Sequence, residues 1–113
     1  MRVSNSKARQ YVEKLEEFQG SNTFGKWLDV GNGRAEANLL YAVYSYGSHF
    51  PMYVWDSTEK KWIGNKDKYS QSTTRHQSLL RPSSVGIWYN TDELKEVIWH
   101  GGLVGTIIER ART

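Results

Sequence analysis

The sequence predicts an α+β fold, a mainly antiparallel sheet of four or five strands with an N-terminal helix and a later helix packed on it. Three observations lead there. Apolar residues recur at three-and-four spacing near the N-terminus and again after residue 90, the period of a helix with one buried face. Between these stretches, short segments rich in Val, Tyr and Trp alternate with the two-residue period of strands. Gly, Asn and Pro punctuate the boundaries, and no repeat, linker or low-complexity segment divides the 113 residues, so a single domain over 1–113 is expected.

From Ser6, the residues Ala8, Tyr11, Val12, Leu15 and Phe18 share one helix face while Lys14, Glu16 and Glu17 lie off it. This predicts a helix of about four turns, stopped by Gly20. "TFGKWLDVGNG" (23–33) reads as a short strand closed by a Gly-Asn-Gly turn, since Gly and Asn tolerate the positive φ that tight turns require. In "NLLYAVYSYG" (38–47) both alternating sets are apolar, so this is the expected central strand. "PMYVWDSTEKKWIGN" (51–65) reads as a hairpin that turns at Asp56 to Lys60, with Pro51 at the first strand position, where its missing N–H is harmless. "TTRHQSLLRP" (73–82) has Thr74 and Gln77 at capping-box spacing and Pro82 as terminator, which predicts a short helix. "VGIWY" (85–89) is a further strand. In "NTDELKEVIWHGG" (90–102), Asn90 and Glu93 stand at a second capping-box spacing, Leu94, Val97 and Ile98 form the apolar face, and Gly101 ends the helix. "LVGTIIER" (103–110) is expected to form a last edge strand. The pattern carries no strand order.

Five Trp, seven Tyr and three Phe against a modest aliphatic content mean that rings supply much of the burial. The absence of Cys excludes disulfides, thiolate metal sites and a cysteine nucleophile, and it favours an intracellular setting. No apolar run reaches the roughly 20 residues of a membrane span, and "MRVSNSKARQYVEKLEEF" lacks a signal-peptide core, so a soluble, cytoplasmic protein is expected, with no membrane partner. The net charge of +3 is unevenly spread. Residues 59–82 carry Lys60, Lys61, Lys66, Lys68, Arg75 and Arg81 against only Glu59 and Asp67, while both flanks are close to balanced.

The middle of that basic segment is "NKDKYSQSTTRHQS" (65–78). A helix that starts within "STTRHQ" presents free N–H groups and a dipole that favours an anion, with Ser72, Thr73 and Thr74 hydroxyls, Arg75 and His76 around it. A second constellation interleaves Tyr53, Trp55, Trp62 and Tyr69 with Lys60, Lys61, Lys66 and Lys68, the residue types by which single-strand binders stack bases and hold phosphates. Burial statistics assign Trp55 and Trp62 to a cross-hairpin core pair and leave Tyr69 exposed in its polar stretch. A third sets His49 and His76 beside Tyr46, Tyr69 and Lys68, the parts of a metal-independent ribonuclease: two imidazoles for proton transfer and a cation for the phosphate. His100 at a helix end favours the dipole and is a stability residue. No HExxH, DxDxDG, GK[ST], dinucleotide or nucleophile-elbow motif occurs, so neither a metal nor a cofactor is expected.

"SYGSHFP" (45–51) followed by "NKDKYSQSTTRHQS" resembles a pairing in small uncharacterised proteins of bacteriophages and mobile elements, an SYGxHFP-like strand end ahead of an NxDKYSxTTxHQS-like stretch. The resemblance covers residues 45–78 and leaves 1–35 and 100–113 outside. It implies a phage-type origin in a bacterial host cell, and it links Tyr46 and His49 to Tyr69, Ser70, Thr73, Thr74, His76 and Gln77 without supplying a mechanism. Small basic phage proteins commonly bind nucleic acid or the host machines that handle it. The expected function is therefore non-catalytic binding of nucleic acid, a nucleotide or such a host protein. Lys66, Lys68 and Arg75 would lie on phosphates, with Tyr69 and His76 stacking or hydrogen-bonding. The alternatives are an anti-CRISPR-like inhibitor of host defence, acting by protein contact, and the His49/His76 ribonuclease. The pattern leaves room for a homo-oligomer.

Overall fold

A computed structural model describes residues 2–28, 40–57 and 59–100, excepting the side chain of His100. The order of elements is α1 (Asn5–Glu13), β1 (Phe18–Gln19), β2 (Thr23–Leu28), β3 (Leu40–Ser45), β4 (Pro51–Asp56), β5 (Lys61–Asn65), α2 (Gln71–Leu79), β6 (Val85–Tyr89) and α3 (Thr91–His100). The α+β class holds, but the described sheet has six strands rather than four or five, because Phe18–Gln19 adds a short edge strand. Strand order follows chain order, β1 to β6. All pairs are antiparallel except β5 with β6, which are parallel and joined through α2.

β3 is buried along its whole length, as its two apolar sets require. Tyr41 and Val43 face α1 and the C-terminal end of α2, together with Ala8, Val12, Phe18, Tyr53, Trp62 and Leu80. Leu40, Ala42 and Tyr44 face the other way, where Val54, Ile63, Tyr89, Leu94 and Val97 close a second core under α3. The sheet is thus a middle layer, with α1 and α2 on one face and α3 on the other. The hairpin 51–65, the strand 85–89 and the Asn90–Glu93 capping box all form as expected, the box with hydrogen bonds of 2.9 and 2.8 Å.

Two boundaries differ from expectation. The N-terminal helix stops at Glu13, not near Gly20, and Leu15 takes a left-handed φ of 59°. Phe18 satisfies the helical spacing but folds into β1 opposite Gly25, where a β-carbon would stand 2.5 Å from its ring. Its burial as a strand residue outweighs one more helical turn. The second helix begins earlier than expected. Ser70 caps it and exchanges hydrogen bonds with Thr73, so Thr74 and Gln77 lie inside the helix instead of forming its box. The Gly31-Asn32-Gly33 turn, Gly101 and the strand expected at 103–110 lie outside the described residues. Among the described residues no helix is long and apolar enough to cross a membrane.

Candidate functional site

Because β5 and β6 run parallel, the helices that follow them start at the same edge of the sheet. α2 then turns onto one face and α3 onto the other, which leaves a crevice between their N-termini, the place where open sheets with parallel strands characteristically hold ligands. A cavity of about 490 Å³ occupies it. Ser70, Ser72 and Thr73 line it from the start of α2, Thr91 and Lys95 from α3, Ser45 and Tyr46 from the end of β3, and His49, Phe50 and Tyr69 from the flanking loops.

The two helix starts are tied together beneath it. Fully buried Asn65 donates through Nδ2 to the Pro51 carbonyl (2.7 Å) and Thr91 Oγ1 (3.0 Å), while its Oδ1 accepts from the Asp67 N–H (2.8 Å). Asp67 in turn accepts the Thr91 N–H at 2.8 Å, and this bond to the charged form, then that to the Thr91 side chain, holds its carboxyl below the usual range. The N-terminus of α3 is compensated further by Asp92 and Glu93. No acid stands in the first turn of α2. The positive end of that helix and the Lys95 ammonium therefore bias the cavity toward an anion. Phe50 and Tyr69, ring centroids 5.8 Å apart, form an aromatic wall, with the Tyr69 side chain 78% exposed.

Behind Ser45 and Tyr46 lies His76. Its Nδ1 is 2.7 Å from Ser45 Oγ, and the Tyr46 ring lies 5.4 Å from its own. Burial, then the neighbouring Arg75 charge, pushes its pKa below the ordinary histidine value, so the ring is neutral at pH 7. A serine beside a neutral imidazole has the look of a nucleophile and its base. Here, however, Ser45 has no exposed surface, and the N–H groups that would stabilise an oxyanion are engaged, that of Ser45 with the Phe50 carbonyl and that of Tyr46 with Asn22. The pair acts as a clamp that holds the Tyr46 corner, whose φ is 62°, against α2.

Of the residues singled out in the sequence, Tyr46, His49, Tyr69, Ser70 and Thr73 meet at the cavity. His76 and Gln77 are interior. The Gln77 side-chain Nε2 donates to the Asn65 and Asp67 carbonyls at 2.9 and 3.2 Å, and the Gln77 main-chain carbonyl accepts from the Tyr53 hydroxyl at 2.6 Å. Lys66, Lys68 and Arg75 are exposed and Thr74 is half-buried, bonded to the Ser70 carbonyl; none of the four lines the cavity. Ser72 was singled out with the helix start, and the lining residues that the sequence did not single out are the buried Ser45 and Phe50, together with Thr91 and Lys95. The Asn90–Glu93 box was the available signal for the last two, since it marks where α3 starts. Among the described residues no group of three or more His, Asp or Glu is placed to hold a metal ion. No family model, curated protein or solved structure matches the chain.

Proposed function

We propose that the chain is a non-catalytic, phage-type binding protein that takes a phosphorylated, nucleotide-type ligand in the crevice between α2 and α3, as a free nucleotide or as part of a nucleic acid. The observation that carries this reading is the composition of the cavity wall, which joins an uncompensated helix start and the Lys95 ammonium to the rings of Phe50, Tyr69 and Tyr46. A phosphate needs converging donors and positive potential; a base needs flat apolar surface with hydroxyls at its rim. The volume of about 490 Å³ lies within the range of small-molecule sites.

Isothermal titration at low salt, with nucleoside mono-, di- and triphosphates against the matching nucleosides, tests it. Phosphorylated members should bind more tightly. Lys95→Ala, a change at an exposed side chain, should weaken them by about tenfold, the value of one charged hydrogen bond. Failure of every member to bind, or unchanged affinity in Lys95→Ala, excludes the reading.

The 78% and 70% exposure of Tyr69 and Trp99 favours a second reading, an inhibitor of host defence in which such rings anchor a protein interface. A stoichiometric complex with a host protein that survives high salt and nuclease would select it. The ribonuclease reading requires His49 and His76 at one scissile bond. His49 lines the cavity whereas His76 stands behind Ser45, and equal RNA cleavage in EDTA by wild type and His76→Ala would remove His76 from that role.

A further inference from the structure

We propose a second site at the other ends of β5 and β6, a groove formed by Trp55 and Trp62 and rimmed by Lys60 and Lys61 that takes one nucleotide unit of a single-stranded nucleic acid, its base on Trp55 and its phosphates at the lysines. Trp55 and Trp62 are paired across the β4–β5 hairpin, with ring centroids 5.6 Å apart. Trp62 is buried in the core beneath, but Trp55 is only partly covered, and the two rings share a groove of about 420 Å³ with Lys60, Lys61, Gly86 and Ile87. Both lysines are exposed, and Lys60 sits at the turn with a left-handed φ of 56°.

Gly86 is the residue that packing does not explain. It falls where the β5–β6 register shifts, is exposed, and a β-carbon built on it meets nothing within 4 Å. The fold has room for a side chain there, and its absence keeps the groove open beside the indole. Two residues further along the same strand, Trp88 carries the Arg81 guanidinium 5.1 Å over its ring, a second aromatic and cationic pair on this edge of the sheet. Indole stacking tolerates any base, and lysines meet phosphates as point charges, so binding here is sequence-tolerant and salt-dependent. An acidic peptide would use the lysines but leave the indole face idle.

Fluorescence anisotropy with a labelled short oligo-dT at low salt tests the site, with thermal unfolding as the control for folding. Trp55→Leu should weaken binding roughly 5- to 150-fold, the effect of losing one stacked base. A β-carbon at Gly86 meets no neighbour, so Gly86→Leu can lay its side chain in the groove against the indole; it should weaken binding comparably without lowering the unfolding temperature. Lys60→Asn with Lys61→Ala, in which Asn keeps the left-handed turn, should reduce the slope of log affinity against log salt by roughly 1.4. In isothermal titration with nucleoside phosphates, Gly86→Leu and the lysine pair should bind at the cavity as wild type does whereas Lys95→Ala should not, which separates this site from the one proposed above. The proposal is overturned if wild type does not bind at low salt, if folded Gly86→Leu binds as well as wild type, if Lys95→Ala rather than the groove variants abolishes binding, or if poly-glutamate displaces the oligonucleotide as readily as unlabelled oligo-dT. Should Trp55→Leu fail to fold, Gly86→Leu and the lysine pair decide.

Discussion

Asn65→Asp probes the knot beneath the cavity without changing its volume. The replacement keeps an acceptor for the Asp67 N–H but turns the Nδ2 donor into an oxygen that faces the Pro51 carbonyl at 2.7 Å and Thr91 Oγ1 at 3.0 Å. Two hydrogen bonds of about 1 kcal/mol each are lost, and the buried carbonyl left facing another acceptor adds about 2 kcal/mol, a total near 4 kcal/mol at pH 7. Protonation offers the new carboxyl an escape, since its hydroxyl can donate to the Pro51 oxygen. Holding it protonated at pH 7 against an ordinary pKa near 3.9 costs about 1.4 kcal/mol per unit, again about 4 kcal/mol. The two routes set the same ceiling, and the second gives it a pH signature. A carboxyl whose folded pKa is raised is fully tolerated below its unfolded pKa and loses stability as pH rises toward the folded value. The difference between wild type and variant should therefore shrink by about 1.4 kcal/mol for each unit from pH 7 toward pH 4. Urea unfolding of both proteins at several pH values between 4.5 and 7 measures it. A difference below about 1 kcal/mol at pH 7, or one independent of pH, would refute the role assigned to Asn65.

Three further predictions follow from named contacts. Ser70→Ala removes the cap of α2 and should cost about 1 kcal/mol by chemical denaturation, whereas Thr74→Ala, inside the helix, should cost only a few tenths; the reverse ranking would mean that the helix starts later. Burial pushes the Tyr44 and Tyr53 phenols up to about 12 and Tyr41 higher still, the last with help from Glu17 and Glu16. An ultraviolet titration of the folded protein should find these three silent near pH 10; because the unfolded chain ionises first, stability should fall as pH rises from 10 toward 12. Asp67→Asn should cost about 0.3–1 kcal/mol at neutral pH, the value of a carboxylate at a helix start. The wild-type Asp67 has a depressed pKa, so its contribution is present above the ordinary carboxyl pKa and lost as pH falls; the two proteins should converge in acid, and a constant gap would contradict the charge argument.

Much of this fold is legible residue by residue. Trp55 and Trp62 fall opposite each other because two alternating segments meet across a short polar turn, and Tyr69 is exposed because nothing apolar surrounds it in sequence. The start of α2 was misread for an identifiable reason. Ser70, Ser72, Thr73 and Thr74 are all chemically fit to cap, and local spacing does not rank them. The ranking comes from Gln77, whose amide is bonded to the Asn65 and Asp67 carbonyls and so sets the phase of the helix against β5. Phe18 was misread likewise, since helical spacing says nothing of a glycine on a neighbouring strand that makes room for its ring.

Periodicity, caps and turn residues act within a few positions, and they suffice for the helices flanking a sheet, the doubly buried β3 and the hairpin with its two tryptophans. The direction in which β6 joins β5 is a different kind of fact. It depends on how a helix of nine residues carries the chain back across the sheet, a long-range outcome that no short window contains. That parallel pairing alone brings the starts of α2 and α3 to one edge, and with them Lys95, which lies 19 residues beyond His76 in the chain and whose sequence surroundings look like an ordinary surface helix. The hydroxyl-rich, basic stretch at 65–78 marked a candidate site in the sequence, but the three-dimensional path of the chain decided which of its side chains face the cavity and which hold it together.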